Sequence, residues 1–162
     1  MLASASTARR KLLEDSRIAF EVRVSSVDED AALAEANKRS KAQGGEGLSP
    51  AKTATLLAEL KARAVAEDLA AEGVHDALVL GCDSVFEFEG VAYGKPHTAE
   101  AARERISAMS GRQGTLHTGH TLVDLCGEGG KNSAKRPILS ELRSAVVHFD
   151  TLTSDEIEAY IA

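Results

Sequence analysis

Several short stretches of this sequence gather side chains suited to phosphate chemistry. Near the start, the run Leu2-Ala-Ser-Ala-Ser-Thr-Ala-Arg-Arg-Lys11 places the hydroxyls of Ser4 and Ser6 among small residues, just ahead of a helix expected to begin near Ala8. The free N–H groups and the positive dipole end of such a helix receive phosphate oxygens. Arg9 adds a planar fork of donors matched to the same oxygens. Val27-Asp-Glu29 and Cys82-Asp-Ser84 contribute the carboxylates of Glu29 and Asp83, while Lys61 and Lys95 contribute cations. Gly94 permits close approach of the chain at Lys95, and Pro96 biases Lys95 toward an extended conformation. Carboxylate oxygens are the ligands that hard divalent cations prefer. A carboxylate beside a bound cation can serve as its ligand or as a base, and the residue types leave both roles open for Asp83. Taken singly, each stretch also fits an ordinary surface: a basic helix at Arg9, a solvated turn at Asp28 to Asp30, a solvated helix residue at Lys61.

The elements that must position these residues alternate between helix and strand. Ser40 to Pro50, with Gly44, Gly45 and Gly47, reads as a surface loop. After it, Leu57, Leu60, Ala64 and Val65 recur at helical spacing and predict a long amphipathic helix that ends near Gly73. Ala77-Leu-Val-Leu-Gly81 is a continuous apolar run, expected to be a strand buried on both faces and ending at Cys82, Asp83 and Ser84. Ligands collect at the carboxyl ends of such strands, which singles out Asp83. Val85 to Phe88 and Val91 to Tyr93 flank Glu89-Gly90 as a small hairpin. Thr98 caps a helix carrying Ala102, Ile106 and Met109 on its apolar side, and Gly111 stops it. Two extended segments follow, Gly114 to Leu125 and Ile138 to Asp150, joined by a Gly-, Lys- and Asn-rich turn. Thr153-Ser-Asp-Glu156 is a capping box that opens a last helix with Ile157, Tyr160 and Ile161. These elements predict an α/β fold, a mixed sheet with flanking helices, in one domain over residues 1–162.

Composition narrows the function further. The formal net charge of −6 argues against a broad surface for a nucleic acid polymer, which would need clustered Lys and Arg. A local basic pocket for a small phosphorylated ligand remains compatible with it. Aromatic residues make up only 4% of the chain, so the core must be aliphatic. Cys82 and Cys126 are the two cysteines; they lie far apart and form no metal-binding pair, so neither a disulfide framework nor a zinc site is indicated. No apolar run has signal-peptide or membrane-span length, which makes the cytoplasm the expected compartment and a membrane partner unexpected.

The order of these segments resembles the Maf family of nucleoside triphosphate pyrophosphatases. The LASAS start followed by Arg9, the VDE turn, the LAxxKA helix, the Asp83 strand, the GKP turn, the SGRQGTLHTGH segment and the final TSDEIEAYIA helix stand in family order. The resemblance implies a Maf/ITPase-like fold, a homodimer, and hydrolysis of nucleoside triphosphates between the α and β phosphates with Mg²⁺ or Mn²⁺. It implies that Asp83 is the proton acceptor, that Glu29 is a metal or water-positioning carboxylate, and that Ser4, Ser6, Arg9, Lys61 and Lys95 contact phosphates. Thr7, Ala8 and Ser84 depart from the family pattern. Ala8 and Ser84 fall at positions associated with the choice of base, so the resemblance carries the pyrophosphatase activity without a preferred nucleotide. It also implies a glycine-rich segment and a further helix beyond Tyr160, so the 162-residue form is expected to be C-terminally incomplete, with the base-selecting wall missing and stability reduced.

Two other classes of function compete. A nucleotide-responsive binding protein linked to cell division is suggested by the family's older septum-formation name, and the retained acidic and basic set favours catalysis over it. A dinucleotide-binding oxidoreductase would need a GxGxxG turn where this chain has Ser4-Ala-Ser-Thr.

Overall fold

The first strand is anchored by its own terminus. In the computed structural model, which describes residues 1–94, 96, 98–126 and 136–161, the ammonium group of Met1 donates to the Leu78 carbonyl at 2.8 Å. This sets β1 (Leu2–Ala3) parallel to β2 (Leu78–Phe88), with Leu2 beside Leu80 and Ala3 beside Gly81. β2 turns at Glu89 and Gly90 into β3 (Val91–Tyr93), the expected hairpin. β2 also pairs antiparallel with β4 (Gln113–Asp124), which pairs antiparallel with β5 (Ile138–His148). The result is a mixed five-stranded sheet in the order β1-β2-β4-β5, with β3 paired to β2 on the edge it shares with β1.

Five helices among the described residues complete the fold: α1 (Thr7–Asp15), α2 (Glu29–Ala42), α3 (Pro50–Ala71), α4 (Ala99–Met109) and α5 (Ser154–Ile161). Most of their boundaries follow from local chemistry. Ser49 and Thr98 cap α3 and α4 through side-chain oxygens, and α3 starts with Pro50, whose missing N–H costs nothing at a first helical turn. Thr153 and Glu156 exchange bonds reciprocally at the start of α5, as the capping box predicts. α2 was not expected from periodicity. It is Ala-rich with charged residues around it and has no buried position, so no apolar stripe announces it.

α3 covers one face of the sheet and carries the core. Its buried stripe is mostly alanine: Ala54, Leu57, Ala58, Ala62, Val65, Ala66 and Leu69. Part of it joins Ala3, Val79, Val123 and Leu125 in one aliphatic cluster. Leu60 and Ala64, expected on that stripe, sit at its margin and are only half-buried.

Small side chains let the helix approach closely. Gly81 on β2 and Gly119 on β4 lie directly beneath α3, where an added methyl group would collide with the backbone carbonyls of Ala58 and Ala54.

The expectation for β2 needs correction. The strand does not end at Asp83 and is not buried on both faces. It continues to Phe88, and Leu78 at one end is exposed. The reason lies in its two neighbours. β4 holds β2 along nearly its whole length, pairing as far as Glu87, whereas β1 ends opposite Gly81 and β3 runs from opposite Phe88 only to opposite Phe86. What stops at Asp83 is therefore the pairing on one edge. Among the described residues, Cys82 to Val85 have no strand partner on that side, and Arg9 bonds the Cys82 carbonyl and Ser84 Oγ there instead.

Candidate active site

Asp83 lies in the middle of β2, beside the end of β1, on the face covered by α3. Ala58 and Ala62 pack closely over Gly81 and hold the turn of α3 that carries Lys61 against the sheet, with the Lys61 ammonium 2.6 Å from Asp83 Oδ1. Glu29, the first residue of α2, approaches the same ammonium from the other side, with Oε1 at 2.9 Å. Asp28 caps α2 by accepting the Ala31 N–H at 3.0 Å, which leaves Glu29 as the carboxylate of that pair turned toward Lys61. Three residues from distant parts of the chain thus form one carboxylate–ammonium–carboxylate row.

Both members of the buried pair are electrostatically perturbed. Burial pushes the Asp83 carboxyl above its ordinary value of 3.8; the Lys61 ammonium pulls the other way, and the negative charge of Glu29 adds to the rise. Burial by itself would lower Lys61, but its hydrogen bonds and Coulombic attraction to Asp83 and Glu29 together outweigh burial, so the net shift is upward. The arrangement holds a firmly charged ammonium next to a carboxylate more basic than a free aspartate.

Arg9 occupies the open edge of β2. Its guanidinium donates to the Cys82 carbonyl at 2.8 Å, to Ser4 Oγ at 3.1 Å and to Ser84 Oγ at 3.0 Å. These partners are all neutral, so its charge is not neutralised by a carboxylate in direct contact. Ser6 caps α1, its oxygen accepting the Arg9 N–H at 3.4 Å, and Ser4 Oγ also accepts the Ser6 N–H at 3.3 Å. Ser4 is buried, and both serines shape the turn between β1 and α1.

On the other face of β2, α1 stands off the sheet and leaves a cavity of about 590 Å³. Ala8 and Arg9 line it from α1, Leu80, Cys82 and Ser84 from β2, and Thr118 and His120 from β4. Ser84 and Thr118 share a hydrogen bond at 3.0 Å. The sequence-predicted residues therefore fall into two groups: Glu29, Lys61 and Asp83 on the α3 face, and Ala8, Arg9 and Ser84 around the cavity, with Ser4 and Ser6 in the turn at the open edge. Lys95 lies outside the described residues. Thr118 and His120 were assigned no role from the sequence. Their alternation in LHTGH is the signal that could have found them, since strand register places alternate residues on one face.

Among the described residues, no group of three or more His, Cys, Asp and Glu side chains could hold a metal ion. Glu29 and Asp83 are nevertheless an all-oxygen pair already sharing a cation, the Lys61 ammonium. One oxygen of each carboxylate takes part in that contact and leaves the other available. Mg²⁺ is commonly bound by one or two carboxylates together with substrate phosphates and waters, so the residues present fit such an ion.

An α/β fold with an acidic and cationic cluster beside an open strand edge is suited to holding a small anionic ligand. Comparison with known proteins narrows it: the family described as Maf-like protein matches residues 1–162. A nucleoside triphosphate pyrophosphatase of Streptomyces coelicolor is 44% identical over 162 residues, covering 100% of this chain and 67% of its own length. One from Leifsonia xyli subsp. xyli is 46% identical over 161 residues, covering 99% of this chain and 70% of its own length. One from Prochlorococcus marinus is 42% identical over 163 residues, covering 100% of this chain and 73% of its own length. The chain belongs to the Maf family. Among the described residues, no helix is long and apolar enough to cross a membrane.

Proposed function

We propose that this chain hydrolyses nucleoside triphosphates between the α and β phosphates, releasing a nucleoside monophosphate and pyrophosphate. The observation that carries the reading is the row Glu29–Lys61–Asp83 next to Arg9 at the open edge of β2. A triphosphate is strongly anionic, and its attack by water requires both charge neutralisation and an oriented, deprotonated nucleophile. Asp83, raised above an ordinary aspartate by burial, is suited to take the proton of the attacking water. Lys61 keeps its positive charge and faces the same point, while Arg9 offers donors to phosphate oxygens from the other side of the strand edge. Lys95 is assigned to the phosphates on the family resemblance.

Glu29 and Asp83 would hold a divalent cation, Mg²⁺ or Mn²⁺, through their oxygens. When bound, it would supply further neutralisation of phosphate charge. Glu29 is then either its ligand or a carboxylate that orients water. Ser4 and Ser6 shape the phosphate-facing turn. Ala8 and Ser84, both small, border the cavity assigned here to the base. A cytoplasmic homodimer is part of the same reading. The exposed Leu139 and Val146 on β5, an edge strand among the described residues, support association with a second copy.

The test is to incubate purified protein with a panel of canonical and modified nucleoside triphosphates, with and without Mg²⁺ or Mn²⁺, and to resolve the products. Monophosphate with pyrophosphate is expected, lost on chelation. Diphosphate with inorganic phosphate would refute cleavage at the α–β bond, and tight nucleotide binding without turnover would favour a binding protein.

A further inference from the structure

The cavity beneath α1 is mostly apolar, and His120 stands on its wall as a polar ring. His120 stands opposite Cys82 in the register of β2 and β4 and lines the same cavity as Arg9 and Ser84. Its other cross-strand neighbour is Glu141 on β5, but that carboxylate is paired with Arg143 at 3.0 Å. Among the described residues, the His120 ring has no side-chain hydrogen bond. Thr118 and Ser84, the other polar groups on this wall, are bonded to each other, and Ser84 also accepts from Arg9. A partly buried imidazole with both ring nitrogens unpaired is therefore the cavity's uncommitted hydrogen-bonding edge.

The geometry connects this edge to the phosphate site. Alternate residues of β2 face opposite sides of the sheet, so Asp83 points to Lys61 while Cys82 and Ser84 face the cavity. Between Gly81, opposite the end of β1, and Phe86, opposite the end of β3, the edge of β2 has no strand partner among the described residues, and Arg9 spans it. A nucleotide laid over this edge can keep its phosphates near Arg9 and Lys61 while its base enters the cavity. Leu12 and Leu13 of α1 and Leu80 and Leu116 of the sheet would then contact the base as apolar walls. Apolar contact discriminates weakly among bases of similar size; a hydrogen-bonding group in the wall discriminates by the base's polar edge.

We propose that His120 is a specificity-determining residue that hydrogen-bonds the polar edge of the nucleobase. This rests on the nucleoside triphosphate reading above, and the experiment separates the two. Turnover and the affinity of non-hydrolysable triphosphate analogues with different bases are measured for the wild type, His120→Phe and His120→Gln, with inorganic tripolyphosphate as a probe that has phosphates and no base.

In His120→Phe, which keeps a flat ring, affinity for the best-bound analogue should fall about tenfold to a hundredfold, the loss expected when the base's polar edge is left buried without a partner. Affinity for the poorest-bound base and for tripolyphosphate should stay within about threefold by the same reasoning. His120→Gln, which keeps a donor and an acceptor on an unbranched side chain, should recover part of the loss.

Base-dependent affinity that collapses in His120→Phe without any wild-type turnover would uphold this proposal and refute the hydrolytic reading. Turnover with an unchanged ratio of affinities among bases in both variants would overturn this proposal and leave the hydrolytic reading standing. Equal losses for tripolyphosphate and the nucleotides would also overturn it, because they would show a general effect on the phosphate site. A wild type that binds all bases equally overturns it as well.

Discussion

The two faces of β2 handle charge in opposite ways. On the α3 face, Lys61 is held between two carboxylates and is mostly buried, so the cluster is balanced before any ligand arrives. At the open edge and toward α1, the partners of Arg9 among the described residues are hydroxyls and a carbonyl. A charge satisfied by opposite charge is poised to tune its neighbours, whereas one satisfied by neutral dipoles retains its attraction for an anion. One strand serves both environments because successive side chains point to opposite sides of a sheet. Under the proposed function, proton transfer and metal binding belong to the α3 face and phosphate capture to Arg9.

The largest expected effect comes from Asp83→Asn, which keeps shape but removes the basic carboxylate. Turnover should fall about a hundredfold to ten-thousandfold, the range for loss of general-base help. Circular dichroism and a cooperative melt should be retained, since Lys61 still has Glu29. Near-wild-type turnover would remove Asp83 from the mechanism and break the division between the two faces.

Arg9→Ala should lower kcat/KM for nucleoside triphosphates by roughly tenfold to a thousandfold, since charge-assisted bonds to phosphate are worth about 1.5–3 kcal/mol each and Arg can make two. The melting temperature should move less, because the bonds lost from the free protein are to neutral groups. If the variant unfolds readily while its folded fraction keeps normal kinetics, Arg9 is a structural clasp between β1 and β2, and the comparison fails on that side.

The smallest effect sharpens the α3 face. Asp83 is raised above 3.8 by burial, with Glu29 contributing. The acid limb of kcat/KM should therefore lie above the ordinary aspartate range. Glu29→Gln removes a like charge, so the limb should move to lower pH in the residual activity. The same shift has a sign for stability: a carboxyl raised by folding contributes below its unfolded pKa, and this contribution is lost as pH rises through the folded value. In Glu29→Gln that loss should be smaller across the acid window, measurable as a flatter dependence of melting temperature on pH. An unmoved limb would separate Glu29 from Asp83 electrostatically. Recovery of the variant by added metal would identify Glu29 chiefly as a ligand.

Much of this protein is legible from its residues alone. The caps at Thr98 and Thr153, the hairpin at Glu89-Gly90 and the long helix before Gly73 are local chemistry, and local chemistry is written in consecutive residues. The candidate residues were legible as well, because their types and order match a family pattern.

What the sequence by itself could not determine is which of them share a face. Lys61 reads as a solvated helix residue until Gly81 and Gly119 bring α3 down onto the sheet. Asp83 reads as a strand end until β4 is seen to continue beside it while β1 stops. Thr118 and His120 gain meaning only through their register with Ser84 and Cys82. Local propensity is set by neighbours in the chain, whereas the electrostatics of a site depend on neighbours in space, and for this protein the pairing of strands decided those.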